Sequence, residues 1–266
     1  MGLYAPGVGA GNTALAWYAR MFSTRKKIFT EGEYNARGIF HHHRYLPLDM
    51  VAEMKTTRAH VRYKTAKNKQ VPGVTTILGV LDKPALLPWA WGLGMKGIDY
   101  RKARDHAGNI GTLTHYRIQC ELAGEEPDLS TYSPAEIDKS DNAMLSWWEW
   151  RGGRELVPLL LEVPLVSECW HYGGTIDCYC VLDGRPTLLD FKTSKKLYPD
   201  YLCQVTAYYQ LLLEHDYKVD DVRILRIGRD ETEGFEDRKV ANLDKYWEVF
   251  SSCLKIYKLK KELNWR

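Results

Sequence analysis

Residues 174–192 read GTIDCYCVLDGRPTLLDFK, and residues 204–208 read QVTAY. Two strand-like runs flank Asp183-Gly184, a pair strongly favoured in two-residue hairpin turns. With Asp183 and Gly184 as the turn, Leu182 faces Arg185. Counting outward in equal steps then sets Asp177 directly across from Asp190. Lys192 lies two residues beyond Asp190 and shares its face of the strand. Like charges directly opposite each other destabilise a sheet. Two facing carboxylates with a lysine beside them therefore point to a divalent cation between them, which is the equipment of metal-assisted hydrolysis.

Asp177 followed by Asp190-Phe191-Lys192 resembles the D…(D/E)-x-K signature of the PD-(D/E)XK nucleases. Further residues resemble the RecB-like branch, which includes phage exonucleases and mitochondrial genome maintenance exonucleases. Gly174 stands three before Asp177, as in that branch's G-x-x-D. Gln204 and Tyr208 fit its Q-x-x-x-Y helix, and His115, in GNIGTLTHYRIQCEL, fits its upstream histidine helix. Ile176 stands where the superfamily name has proline. The resemblance spans roughly residues 70–260. It implies an α/β fold with a restriction-endonuclease-like αβββαβ core, a mixed central sheet flanked by helices, and an extra N-terminal helical region.

The resemblance also implies roles. Asp177, Asp190 and the Phe191 carbonyl would bind Mg²⁺ or Mn²⁺, for which hard oxygen donors are suited. Lys192 would assist the attacking water. Glu162 is a charge within the apolar run LLLEVPLVS and fits an acid that joins the metal; a strand-end salt bridge is the alternative. His115 would be a metal ligand or a phosphate contact, although a lone helical histidine is ordinarily just packed or exposed. Gln204 and Tyr208, at i and i+4, share a helix face and would approach the DNA backbone, with Tyr208 equally able to serve the core. The implied activity is a metal-dependent DNA exonuclease of replication, recombination or repair, with DNA bearing a free end as substrate. A recombination or single-strand-binding protein is the implied protein partner. The rival readings are an endonuclease on the same fold and a nucleic-acid-binding module without turnover.

Composition sets the bounds. The chain has 266 residues, 45% hydrophobic and 27% charged, which is ordinary for a soluble globular chain. Its net charge of +3 creates no global field for a polyanion, so DNA contacts must come from local patches such as Lys195-Lys196 or Lys255–Lys261. Six cysteines form no C-x-x-C pair. Cys120 and Cys253 alone cannot supply the four-cysteine cluster of some relatives, so no iron–sulfur cluster is expected. Cys178 and Cys180 alternate with Asp177 and should face packed core. No uninterrupted apolar run approaches the roughly 18 residues of a membrane span. Reduced thiols fit a cytoplasmic setting.

Residues 1–49 differ from the rest and read as a poorly ordered extension, with residues 50–266 as the nuclease domain. They contain Gly7-Val-Gly-Ala-Gly11, no acid before Glu31, and His41-His42-His43. The glycine run lacks the Gly-Lys-Ser/Thr ending of a phosphate loop, and adjacent histidines do not easily converge on one metal. An acid-poor, basic start is also compatible with a mitochondrial transit peptide.

From Val71 the pattern becomes regular. Short helices are expected from Val74 to near Asp82 and at Leu86–Ile98. A longer one is expected at 100–124, which Gly108–Gly111 could interrupt, and a helical region at Ile137–Val157 packs Trp147, Trp148 and Trp150. Strands follow at Leu159–Ser167, 172–182 and 186–192, then a helix at 199–215, a strand at Val222–Ile227 and a closing helix at Leu243–Leu263.

Overall fold

The computed structural model describes residues 61–230 and 232–265. The expected N-terminal extension, with its glycine run and three histidines, lies outside them. Among the described residues four helices come first: α1 (Val74–Leu78), α2 (Leu86–Gly94), α3 (Tyr100–Ala123) and α4 (Pro134–Arg151). Then come β1 (Leu156–Ser167), β2 (Tyr172–Leu182), β3 (Arg185–Lys192), α5 (Pro199–Glu214), β4 (Asp221–Ile227), β5 (Phe235–Lys239) and α6 (Leu243–Glu262).

The five strands form one mixed sheet in sequential order. Only β3 and β4 run parallel, joined across α5; the other neighbours are antiparallel. A parallel pair needs such a crossover, because a tight turn cannot reverse the chain twice. At the β2–β3 turn, Asp183 and Gly184 both have positive φ, 49° and 78°, which the type I′ geometry requires. Asp183 Oδ1 accepts the Glu155 N–H at 2.8 Å and so ties the turn to the entry of β1.

Two apolar clusters sandwich the sheet. One joins Val74 and Ile77 of α1, Leu188 and Ile224 of the central strands, Val205 and Leu211 of α5, and Phe250 of α6. The other joins Ile118 of α3 and Trp147 and Trp150 of α4 to Cys178, Cys180, Leu189, Phe191 and Leu225. Cys178 and Cys180 are thus packed under the tryptophans.

Several elements differ from the sequence expectation. Helix α3 runs unbroken through Gly108–Gly111, because neither glycine takes a positive φ and the flanking turns keep the ladder. Helix α4 starts earlier and stops at Arg151. Its start is set by a capping box in which Ser133 and Glu136 satisfy each other's backbone N–H groups, with Pro134 in the first turn. Helix α1 ends at Leu78, four residues short of Asp82, and helix α2 at Gly94, four residues before Ile98. Strand β1 begins at Leu156, and β5 was not expected at all. Its sequence FEDRK is polar, as suits an edge strand half in water.

Candidate metal centre

The site lies where β2 and β3 part. Their ladder runs from Leu182↔Arg185 to Cys178↔Leu189, and the next step of this register sets Asp177 against Asp190. One step further, Phe191 would continue the ladder with Ile176. Instead, the Phe191 N–H donates to Asp177 Oδ2 at 2.8 Å. The carboxylate takes the place of a ladder carbonyl and wedges the strands open.

On the other side, β1 pairs with β2 through Leu161↔Cys178 and Val163↔Ile176, so Glu162 falls opposite Asp177. Glu162 has φ of 51°. A non-glycine residue held in that left-handed region costs on the order of 1–3 kcal/mol and persists only where its surroundings impose it. Here the strain accompanies a carboxylate placed at the centre of the cluster.

Helix α3 closes the group from above. His115 Nδ1 lies 3.5 Å from Asp177 Oδ2, and its ring meets Phe191 edge-on at 5.8 Å. Phe191 in turn packs edge-on against Trp147. The helix can come this close because Gly111, one turn before His115, has no side chain; a Cβ there would stand 2.8 Å from Thr193 Oγ1. One ligand atom each from His115, Glu162 and Asp177 lie within 4.8 Å of one another. One imidazole nitrogen and two carboxylates form a donor set that fits a small hard divalent cation such as Mg²⁺ or Mn²⁺.

Asp190 and Lys192 sit beside this group. Asp190 is not among its three donors, and its Oδ2 meets the Lys192 ammonium. Lys192 Nζ also lies 5.1 Å over the Tyr201 ring. Burial alone would lower the Lys192 pKa, but the Asp190 and Asp177 carboxylates outweigh it and the net shift is upward. The lysine is therefore a fixed cation.

Gln204 and Tyr208 lie on one face of α5, and Gln204 Nε2 donates to the Tyr208 hydroxyl at 2.8 Å. Tyr208 is buried, and that burial, reinforced by Asp190, pushes its hydroxyl far above the usual range. Its ring occupies the space that a side chain at Gly174 would need, since a Cβ there would come within 2.5 Å of Cε1. The glycine three before Asp177 is thus what lets α5 press on β2. Residues that build the site without having been singled out from the sequence are Gly111, Thr193 and Tyr201. A glycine one helical turn before His115 was the available signal for the first; nothing local marks the other two.

No family model matches the chain, and no curated protein matches it. Among solved structures, that of LHK-Exo in complex with dAMP aligns over 60% of this chain and 91% of that one, at 13% identity and a TM-score of 0.28, a likeness too slight to bear on the fold or the site.

Proposed function

We propose that the chain is a divalent-metal-dependent DNA nuclease of the PD-(D/E)XK type, acting as an exonuclease. The observation that carries this reading is the convergence of His115, Glu162 and Asp177 on one small volume, beside a buried lysine cation at the point where two strands are wedged apart.

In this reading His115, Glu162 and Asp177 hold the cation. Bound there, the ion supplies neutralising charge to a phosphodiester and makes water more acidic. Asp190 fixes the Lys192 ammonium, and Lys192 places a positive charge where the phosphate gains negative charge in the transition state. Phe191 donates its N–H to Asp177 and so sets which carboxylate oxygen remains for a metal. Gln204 orients the Tyr208 hydroxyl, and the pair supports the site from the helix side.

The test is digestion of linear and circular DNA, single- and double-stranded, with Mg²⁺, Mn²⁺ or chelator. The expected result is cutting of linear DNA only, and only with metal. Full activity in excess chelator would sink the metal assignment. Cutting of circular single strands would make the enzyme an endonuclease.

A further inference from the structure

Helix α2 buries none of its residues. Leu87 is 79% exposed, and Trp91 and Met95 are each 71% exposed. Such a run of exposed apolar side chains on a folded surface marks something it binds. The helix is apolar all round, with no charge between Leu86 and Gly94. A helix lying on a membrane carries its cations on its own polar face; here they stand on neighbouring chain. Lys96 precedes α3, and Arg101, Lys102 and Arg104 occupy its exposed first turns. Arg104 pairs with Asp105, while among the described residues Lys96 and Lys102 meet no carboxylate.

Both feet of this hairpin stand beside the candidate site. Lys83, just before α2, binds Asp200 at 2.9 Å, and the neighbouring Tyr201 carries Lys192 on its ring. At the other end Gly111 of α3 rests on Thr193, the residue after Lys192. From Arg101 to His115 the helix covers ~21 Å. The hairpin therefore leads from an exposed aromatic and cationic surface directly to the metal centre.

Exposed indoles beside unpaired cations are complementary to a strand whose bases are unstacked. In a duplex the base faces are already covered; in a single strand they are free. We propose that the α2–α3 hairpin is a platform for single-stranded nucleic acid, with bases stacked on Trp89 and Trp91 and phosphates on Lys96, Arg101 and Lys102. This rests on the nuclease reading and gives its site a single-stranded substrate.

The test uses the full chain in chelator, so that nothing is cut, with a labelled oligothymidylate and a duplex of mixed sequence. The double variant Trp89→Ala/Trp91→Ala should weaken oligothymidylate binding roughly tenfold or more and leave duplex binding nearly as it was. Lys102→Gln should lower the salt dependence of binding. Trp265→Ala, which removes an indole 68% exposed at the other end of the chain, should change neither. The melting temperature of each variant checks that folding is intact. Unchanged affinity in the double variant overturns the platform, as does an equal loss for both nucleic acids. Tryptophan-dependent binding to anionic phospholipid vesicles, without oligothymidylate binding, would overturn it in favour of a lipid surface. Hydrolysis of bis(p-nitrophenyl) phosphate by the unaltered chain with Mn²⁺ reports the metal centre separately. Hydrolysis without an indole effect leaves the nuclease reading standing and removes the platform; an indole effect without hydrolysis of any diester does the reverse.

Discussion

At position 190 a side chain with 1% of its surface exposed stands against the Lys192 side chain, itself 13% exposed. Facing carboxylates in the sequence suggest that neutralising Asp190 relieves repulsion. The structure changes that expectation, because Asp190 pairs directly with Lys192 and, with Asp177 as a weaker second, compensates its charge. Removing one partner of a buried ion pair strands the other and costs about 3–5 kcal/mol, whereas replacing both is often neutral. Asp190→Asn and Lys192→Met should each lower the urea-derived stability by roughly 3 kcal/mol in chelator, and the double variant should recover most of it. Additive losses would mean that the two side chains are not coupled. Glu162 offers a second separation of stability from chemistry. Its left-handed backbone favours glycine, so Glu162→Gly should be about 1 kcal/mol more stable than Glu162→Gln, which keeps the strain. Both lack the carboxylate, and both should bind Mn²⁺ more weakly by calorimetry. A glycine variant less stable than the glutamine one would show that the strain is not real.

Among the elements, the hairpin was the most legible in the sequence. Asp183-Gly184 fixes the turn, the turn fixes the register, and the register alone brings Asp177 to Asp190. The wedge was not legible, since nothing local says that the Phe191 N–H leaves the ladder for a carboxylate. His115 was found through a motif, not through periodicity: its packing depends on Gly111 meeting Thr193 some eighty residues on. The start of α4 is written in Ser133-Pro-Ala-Glu136, a capping box, whereas the apolar periodicity begins only at Ile137. β5 was hidden because its polar sequence lacks an apolar alternation, and charge holds it instead. Asp221 at the start of β4 meets Lys239 of β5, Arg185 of β3 and Arg223. Burial would raise its pKa, but these three cations bring it below the ordinary 3.8. A group whose folded pKa is depressed contributes its full stability above the unfolded value and loses it as pH falls through the folded one. Asp221→Asn should therefore destabilise the chain at neutral pH. Its deficit should shrink only below about pH 4. A deficit independent of pH down to the acid limb would show that packing, not charge, carries the effect.

For the whole molecule, the question is how much chain the sandwich needs. The sequence suggests a domain boundary at residue 50, and in the structure residues 63–73 already take part in the packed fold. Tyr63 is wedged against the start of β2: a Cβ on Gly173 would stand 2.3 Å from its ring. Its hydroxyl lies 3.0 Å from Thr175 Oγ1, and its carbonyl accepts the Val71 N–H at 3.0 Å. The Pro72 carbonyl then accepts the Gly173 N–H at 2.9 Å. This strap covers the end of β2 that leads into Gly174 and Asp177, so losing it should loosen the strand that carries the site. A chain begun at Met50 should keep its urea midpoint and the metal-dependent cutting proposed for the full chain. One begun at Val74 should unfold at markedly lower urea and lose cutting. Tyr63→Ala in the full chain should reproduce part of that loss, about 2 kcal/mol for a half-buried ring set against glycine. If Tyr63→Ala were neutral while the Val74 chain failed, the backbone pairing of residues 71–73 would hold β2 and the ring would not. If the Met50 chain itself failed to fold, residues 1–49 would belong to the domain and the boundary read from the sequence would be wrong.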